Sequence, residues 1–351
     1  MKILPNNSSL IYSGRIDLSD PFAIVWTYPG TFVRIKFKGT QLSIHVRNKH
    51  NYWNNYLGVV EGDAQTKLLL PKEGEATIEI PLQTTQDNIH EVTIFKRQDA
   101  CHELTILDFE INCNTDDECE LLEASPLPPR RIEVYGDSVS AGEVSEAVDY
   151  VAKSDPEHNG EYSNSWYSYA WITARKLDAQ LHDIAQGGVA LLDNTGWYHE
   201  PDYIGMEHVW NKMRYDSSYG QVTEWDFSKY TPDIVIVAIG QNDSHPDDYM
   251  KTDYECEKAK NWRTHYRQFL AKLRETYPDA WIICCTTLLQ HDISWDMSIG
   301  QAVLDIADKK ISHCVFQRNG KATPGHLRIP EAEEMAEELC HYIHSLNIEG
   351  Y

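Results

Sequence analysis

Two domains of different class are predicted: a β-sandwich of jelly-roll type over residues 1–124, then an α/β domain over residues 131–351 whose parallel sheet is flanked by helices. Three observations predict them. The first third of the 351-residue chain is cut into short strands by Gly, Asn, Asp and Lys clusters. A proline cluster follows. Beyond it, apolar strand-like runs alternate with long helical stretches, the pattern of a doubly wound sheet.

From Ile3 to Asn112 the strand candidates are Phe32 to Phe37, Leu42 to Val46, Leu57 to Glu61, Ala76 to Pro81 and Val92 to Lys96. Their side chains alternate with period two, as in Arg34-Ile35-Lys36-Phe37, so one face is buried and the other wet. That spacing is the spacing of a sandwich. At Ser125-Pro126-Leu127-Pro128-Pro129-Arg130-Arg131, three prolines within four residues exclude strand interior and helix, and the segment reads as a short stiff linker. After it, helices are expected over Ser165 to Leu177, Tyr254 to Glu275, Ser298 to Lys310 and Glu331 to Leu346. In the last of these, Ala332, Met335, Ala336, Leu339, Tyr342 and Ile343 recur at helical spacing and form a core stripe.

Composition narrows the function classes. A formal charge of −23 repels nucleic-acid phosphate and disfavours an anionic substrate such as pectin. The longest apolar runs, around Ile234 to Ile239 and Ala280 to Cys285, fall far short of the ~20 residues that a membrane span needs. The amino terminus has no apolar core of a secretory signal, so a cytoplasmic location is expected if the chain is the full product. The eight cysteines contain no Cys-x-x-Cys pair, which favours free thiols in a reducing compartment over a small Cys113–Cys119 disulfide loop. No zinc pattern emerges, and no metal or cofactor is expected.

Four segments carry chemistry. Ile132 to Tyr135 reads as a buried strand that ends in Gly136-Asp137-Ser138, and a serine at a strand's end is a candidate nucleophile or, more blandly, a helix cap. The Gly-x-Ser-x-Gly elbow of α/β-hydrolases is missing. Leu181 to Ala185 reads as a second strand, followed by Gln186-Gly187-Gly188, whose backbone N–H groups can face an anion. Asp233 to Ile239 is the near-continuous apolar run of a strand covered on both faces, and it stops at Gly240-Gln241-Asn242-Asp243, where ligands bind in such sheets. Finally, Pro324-Gly325-His326 precedes a helix that Pro330 opens, and a histidine there can serve as general base if the crevice brings it to Ser138.

This order, Gly-Asp-Ser, a glycine, Gly-x-Asn-Asp and a C-terminal histidine, resembles the SGNH (GDSL-type) hydrolase superfamily over residues 131–351, with a flavodoxin-like α/β domain. The resemblance implies that Ser138 attacks, that His326 is the base, and that an oxyanion hole is made by the Ser138 N–H, the Gly188 N–H and the Asn242 amide. Gly188 is matched to the family's glycine in preference to Gly187. The superfamily usually has an acid three residues before the histidine; here that position is Thr323, and no Asp or Glu occupies residues 316–330. A main-chain carbonyl would then orient the imidazole and leave a Ser-His dyad, with Asp296 or Asp305 as more remote alternatives.

The missing acid and the β-rich first third together resemble carbohydrate esterase family 2, whose members look like a sandwich followed by an SGNH domain with an incomplete triad. The activity this implies is a serine acetylesterase, acetyl xylan esterase-like, acting on O-acetylated xylo-, gluco- or manno-oligosaccharides. Ten Trp and twenty Tyr supply stacking faces. By position, Trp295, after the Ala280 to Leu289 strand, with Trp197 and Tyr198, after the glycine pair, are the candidates for sugar contact. Two other readings stay open: a lipid or thioester hydrolase of the same superfamily, and a carbohydrate-binding protein with a decayed hydrolase domain. The sandwich is open to binding glycan, walling the cleft, or building a homo-oligomer interface.

Overall fold

The computed structural model describes residues 1–85, 87–113 and 119–351. They divide into two compact units. One comprises Met1–Leu127 with Asn159–Glu161 and Asp216–Val222; the other comprises Pro128–His158, Tyr162–Tyr215 and Thr223–Tyr351.

The first unit is a pair of antiparallel sheets. In one, the order is Ile16–Asp17, Ile24–Trp26, His102–Asn112, Gln41–His50, Glu73–Ile80, with Lys2–Ile3 also on His102–Asn112. In the other it is Glu120–Leu122, Phe32–Lys38, Ile89–Lys96, Tyr56–Glu61, Ala64–Leu69, with Ile11–Ser13 on Phe32–Lys38. Alternation decides which side chains go inside. Val33, Ile35 and Phe37 from one sheet join Leu42, Ile44 and Val46 from the other in a single apolar cluster, while Arg34, Lys36 and Lys38 point outward and are half-exposed. Each of those buried side chains contributes roughly 1.5–3 kcal/mol of transfer free energy. Cys113 and Cys119 are joined in a disulfide, their Cα atoms 5.7 Å apart. This corrects the expectation of eight free thiols; six remain free, five of them buried.

The second unit is a five-stranded parallel sheet in the order Ala179–Ala185, Arg130–Gly136, Ile234–Ala238, Trp281–Cys285, Ile311–His313. Numbered along the chain this is 2-1-3-4-5, the flavodoxin-like order, whose ligand crevice opens where the connections diverge on either side of the first strand. All five residues of Ile234–Ala238 are buried, as a β-branched run covered on both faces demands. The register is level at one edge: Gly136 lies opposite Ala185 on one side and Ala238 on the other. The residues that follow these three strands are therefore delivered to one rim.

Helices pack on the sheet as the apolar spacing requires. Glu257–Thr276 buries Trp262, Tyr266, Phe269, Leu270 and Leu273, and Ile329–Ser345 buries Ala332, Met335, Ala336, Leu339 and Ile343. The segment expected to be helical from Ser165 is broken. Ser165–Tyr167 is a single 3-10 turn, and Ser168, in extended conformation, caps a new helix Tyr169–Lys176 by accepting from the Trp171 N–H at 3.3 Å. The helix placed at Ser298 to Lys310 starts earlier, at Ile293, where Asp292 caps it. No helix among the described residues is long and apolar enough to cross a membrane.

Candidate active site

Ser138 follows the inner strand Arg130–Gly136 by two residues and starts a one-turn helix, Ser138–Ala141. Asp137 caps that turn, its Oδ1 accepting from the Val139 N–H at 3.0 Å. The preceding glycine is obligatory on steric grounds, since a Cβ at Gly136 would lie 2.0 Å from Ser140 Oγ. The turn thus lifts the Ser138 side chain to the rim, where the residue is 5% exposed.

His326 meets it there. Its Nε2 lies 2.8 Å from Ser138 Oγ, and its Nδ1 lies 2.6 Å from Asp155 Oδ2. The other oxygen of Asp155 accepts from the His326 backbone N–H at 2.9 Å, so one carboxylate grips the residue twice. This corrects the expectation of a Ser-His dyad oriented by a main-chain carbonyl: the orienting group is an acid 171 residues upstream. Neither remote candidate fills that place. Asp296 accepts from Thr286 Oγ1 at 2.6 Å and pairs with His291 at 2.9 Å, and Asp305 pairs with Arg267 at 2.8 Å. Thr323 is buried, and its Oγ1 accepts from the Gly325 N–H at 3.3 Å.

The loop that brings Asp155 is tied down at two points. Arg328, fully buried, sets Nη2 2.9 Å from Asp155 Oδ1 and donates through Nη1 to the His326 carbonyl. Glu331, in the first turn of the last helix, accepts from the Arg328 N–H and from the Ala152 N–H, both at 2.8 Å. Gly325 makes the approach sterically possible, because a Cβ there would stand 2.5 Å from Asp155 Oδ1 and 2.7 Å from the Lys153 carbonyl.

Electrostatics follow from this packing. Burial alone would pull the His326 pKa down; the nearby Glu143 carboxylate, the Asp155 hydrogen bond and the Asp155 and Asp137 charges outweigh it and push it up to about 9. For Asp155, burial works toward a higher value, yet the His326 contacts and the Arg328 charge hold it at about 2. Asp137, fully buried, is pushed up to about 6 by that burial, against the pull of its Val139 and Gln241 hydrogen bonds.

The groups expected to face an anion come from the other two strand ends. Gly188 sits at φ 74°, a left-handed conformation natural to glycine, and a Cβ there would lie 2.8 Å from Trp197 Cβ. Among the described residues, neither the Ser138 N–H nor the Gly188 N–H has a protein acceptor. Asn242 Nδ2 donates to the Val189 carbonyl at 3.0 Å and to Asp137 Oδ2 at 3.2 Å, which holds the amide between the glycine turn and the Ser138 turn and engages both of its hydrogens. Asp137 Oδ2 also accepts from Gln241 Nε2 at 2.8 Å, whose own Oε1 accepts from Thr287 Oγ1 at 2.8 Å. The four segments singled out in the sequence are thereby held in one hydrogen-bonded framework.

The three aromatic candidates separate. Trp295 is fully buried inside the helix Ile293–Ile306, edge-on to Trp262 and Tyr249, with Nε1 donating to Asp248 Oδ1 at 3.1 Å. It is a core residue, contrary to the expectation of a sugar contact, because the segment is helix where a loop was expected. Tyr198 is likewise buried, edge-on to Tyr215, and does not offer a stacking face. Trp197 is 59% exposed, stacks on His245, and is tied through its N–H to the Gly188 carbonyl at 2.8 Å. No cluster of three or more His, Cys, Asp or Glu side chains suited to a metal ion occurs among the described residues.

Comparison with known proteins gives this geometry its relatives. The Carbohydrate esterase 2 N-terminal profile matches residues 12–117. A cellulase/esterase CelE from Acetivibrio thermocellus is 29% identical over 345 residues, covering 95% of this chain and 39% of that protein. An acetylxylan esterase / glucomannan deacetylase from Cellvibrio japonicus is 28% identical over 281 residues, 77% of this chain and 69% of the relative. The chain therefore spans well under half the length of the Acetivibrio relative. Among solved structures, a family two carbohydrate esterase from Clostridium thermocellum in complex with cellohexaose superposes with a TM-score of 0.79 at 25% identity, covering 96% of this chain and 98% of the other. With its sandwich, its 2-1-3-4-5 sheet and the serine, glycine, asparagine and histidine blocks at one rim, the chain is similar over nearly its whole length to family two carbohydrate esterases, and residues 12–117 match that family's N-terminal domain.

Proposed function

We propose that the protein is a serine esterase that removes O-acetyl groups from plant polysaccharide fragments, with Ser138 as nucleophile, His326 as general base and Asp155 as the acid that orients it. The observation that carries this reading is the unbroken chain from Ser138 Oγ to His326 Nε2 at 2.8 Å and from Nδ1 to Asp155 at 2.6 Å, beside two N–H groups with no acceptor among the described residues. The Nδ1 contact fixes the tautomer, leaving Nε2 to take the serine proton. As it does so, Oγ bonds to the acetyl carbon, and the carbonyl oxygen becomes an oxyanion facing the Ser138 and Gly188 N–H groups; Asn242 joins them by giving up its longer bond, the 3.2 Å one to Asp137. Collapse breaks the bond to the sugar oxygen, which takes the proton from Nε2. Water then attacks the acetyl-serine, gives its proton to His326, and acetate leaves as the proton returns to Oγ. The sum is ester plus water to alcohol plus acetic acid.

The substrate class rests on the relatives, which carry the names acetylxylan esterase, glucomannan deacetylase and cellulase/esterase. The charge of −23 fits neutral acetylated sugars better than uronates, and Trp197 offers an exposed ring one turn from the oxyanion glycine. The Asp155 contact speaks against a decayed hydrolase, since a binding module has no need of an oriented base. Ser138→Ala is expected to abolish acetate release from acetylated xylo-oligosaccharides and from 4-nitrophenyl acetate while circular dichroism stays unchanged; near-normal turnover in that variant would reject the nucleophile.

A further inference from the structure

Three donors converge on the carboxylate of Asp137, which lies between the Ser138 turn and the Asn242 amide. Oδ1 accepts from the Val139 N–H at 3.0 Å. Oδ2 accepts from Gln241 Nε2 at 2.8 Å and from Asn242 Nδ2 at 3.2 Å. The residue is fully buried, so these donors take the place of solvent around the charge. Capping the Ser138 turn needs only the first of them, and Asn or Ser at this position would serve that purpose equally well. The second oxygen is what calls for a carboxylate. With donors on both sides of the group, neither oxygen can be replaced by a donor.

The sense of donation carries on behind Asp137. Because the carboxylate only accepts, Gln241 turns Nε2 toward it and Oε1 toward Thr287, whose Oγ1 donates at 2.8 Å. Thr287 is fully buried two residues beyond the strand Trp281–Cys285, and its Oγ1 accepts from the Leu289 N–H at 3.2 Å. Leu289 bridges to Thr323, and the Gln290 N–H donates to the Thr323 carbonyl at 2.8 Å, three residues before His326. Gln241 is therefore oriented from both ends. If Thr287 lost its hydroxyl, the buried Oε1 would lose its donor and Gln241 its reason to keep Nε2 on Asp137.

This bears on how Asn242 does its work. Of the two side chains on Oδ2, Asn242 is the more loosely held, at 3.2 Å against 2.8 Å, while the Val189 carbonyl keeps the other amide hydrogen at 3.0 Å. In the tetrahedral intermediate the amide exchanges one anionic acceptor for another, and Gln241 stays on Oδ2 so that the buried charge keeps a donor. Such an exchange needs no search for orientation, which is the advantage of a preorganised donor. Resting on the esterase reading above, we infer that Asp137 is a positioning residue for the oxyanion amide: its Oδ2 holds Asn242 in place before the reaction, and Gln241, anchored on Thr287, keeps that oxygen satisfied during it.

The test is a double-mutant cycle on kcat for acetylated xylo-oligosaccharides. It is read on the plateau above about pH 9, because the Asp137 charge also acts on His326 and the ring is neutral there. Asp137→Asn keeps a cap for Val139 but sets a donor against Gln241 and Asn242. It should lower kcat by about ten- to a hundredfold with little change in KM, the range of a hydrogen bond to a charged group. In an Asn242→Ala background the same change should cost less than about threefold, since the group it acts through is gone. Thr287→Val should lower kcat by about two- to tenfold, the range of one neutral hydrogen bond, and Thr287→Ser should restore it; this loss too should vanish in the Asn242→Ala background. Wild-type kcat in Asp137→Asn, or losses that multiply in the double variants as a general loosening of the fold would make them, overturns the inference. Should Asp137→Asn fail to fold, the Thr287 variants decide by the same criterion. A wild-type rate in Asn242→Ala removes the inference together with the amide's oxyanion role and leaves the esterase reading standing, whereas acetate release that survives Ser138→Ala brings down that reading itself.

Discussion

The pH dependence of the esterase tests the relay most directly, because three carboxylates and burial act on a single imidazole. With the His326 pKa at about 9, only about one hundredth of the enzyme holds a neutral base at pH 7. The kcat/KM for an acetate ester should therefore climb about tenfold per pH unit and level off near pH 9, measured by pH-stat with the spontaneous hydrolysis subtracted. Asp155→Asn removes one charge and turns the Nδ1 partner into an amide. The limb should move to lower pH, and the plateau should fall by up to about 10⁴, the loss seen when a triad acid is neutralised in a protease. The same shift has a stability signature. A histidine raised from 6.5 to about 9 contributes stability that is complete below pH 6.5 and lost as pH rises through about 9. Asp155, lowered from 3.8 to about 2, contributes stability that is present above pH 3.8 and lost as pH falls through about 2. Both describe one pair, on the order of 2–3 kcal/mol and not a sum of two. The melting temperature lost in Asp155→Asn should accordingly be greatest between about pH 4 and 6.5. A limb that Asp155→Asn leaves in place would refute the assignment of Asp155 to His326.

Three further substitutions probe the parts around that relay. Asn242→Ala should cut kcat by about 10² to 10³ with little change in KM if the amide exchanges its 3.2 Å bond to Asp137 for the oxyanion in the transition state; an unchanged rate removes it from the oxyanion site. Gly325→Ala sets a Cβ 2.5 Å from Asp155 Oδ1 and should reproduce much of the Asp155→Asn loss in kcat, whereas wild-type turnover would mean the loop yields freely. The pair Trp295→Ala and Trp197→Ala should part in opposite directions. The first should cost about 3–5 kcal/mol and lower the melting temperature by about 6–20 °C with the site intact. The second should leave melting unchanged but raise KM for acetylated oligosaccharides over that for 4-nitrophenyl acetate, and equal KM effects on both esters would deny it a sugar contact.

The fold was readable wherever one period dominated. Arg34-Ile35-Lys36-Phe37 alternates because one face of its sheet is wet, and Ile234–Ala238 does not alternate because both faces are covered. Strand ends were readable for the same reason: an apolar run that stops at Gly-Asp or Gly-Gln-Asn marks where the sheet gives way to the rim. What misled was chemistry that the local pattern does not separate. Ser165 to Leu177 carries enough helix formers to read as one helix, yet Ser168 competes for the backbone and starts a second one. Trp295 was placed in a loop because it follows the apolar run Ala280 to Leu289, but Asp292 is an N-cap and the indole goes into the core.

The site divides along a different line. Ser138, Gly188 and Asn242 each sit within four residues of a buried strand's end, so the sheet's register fixes their mutual distances and sequence order suffices to find them. Asp155 has no such anchor. Its loop is bounded by short turns, and its position is set by Glu331 accepting from Ala152 and by Arg328 gripping its carboxylate, both contacts across more than 170 residues of chain. Yet a trace of it was present beside the histidine. Gly325 is a residue without a side chain where an added Cβ would stand 2.5 Å from a loop of another segment, and Arg328 is a buried cation that requires an anion close by. A glycine and a fully buried arginine flanking a base with no local acid together imply that the acid arrives from elsewhere in the chain. The absence of a carboxylate at Thr323 is thus an argument about position, and carries no argument for a dyad.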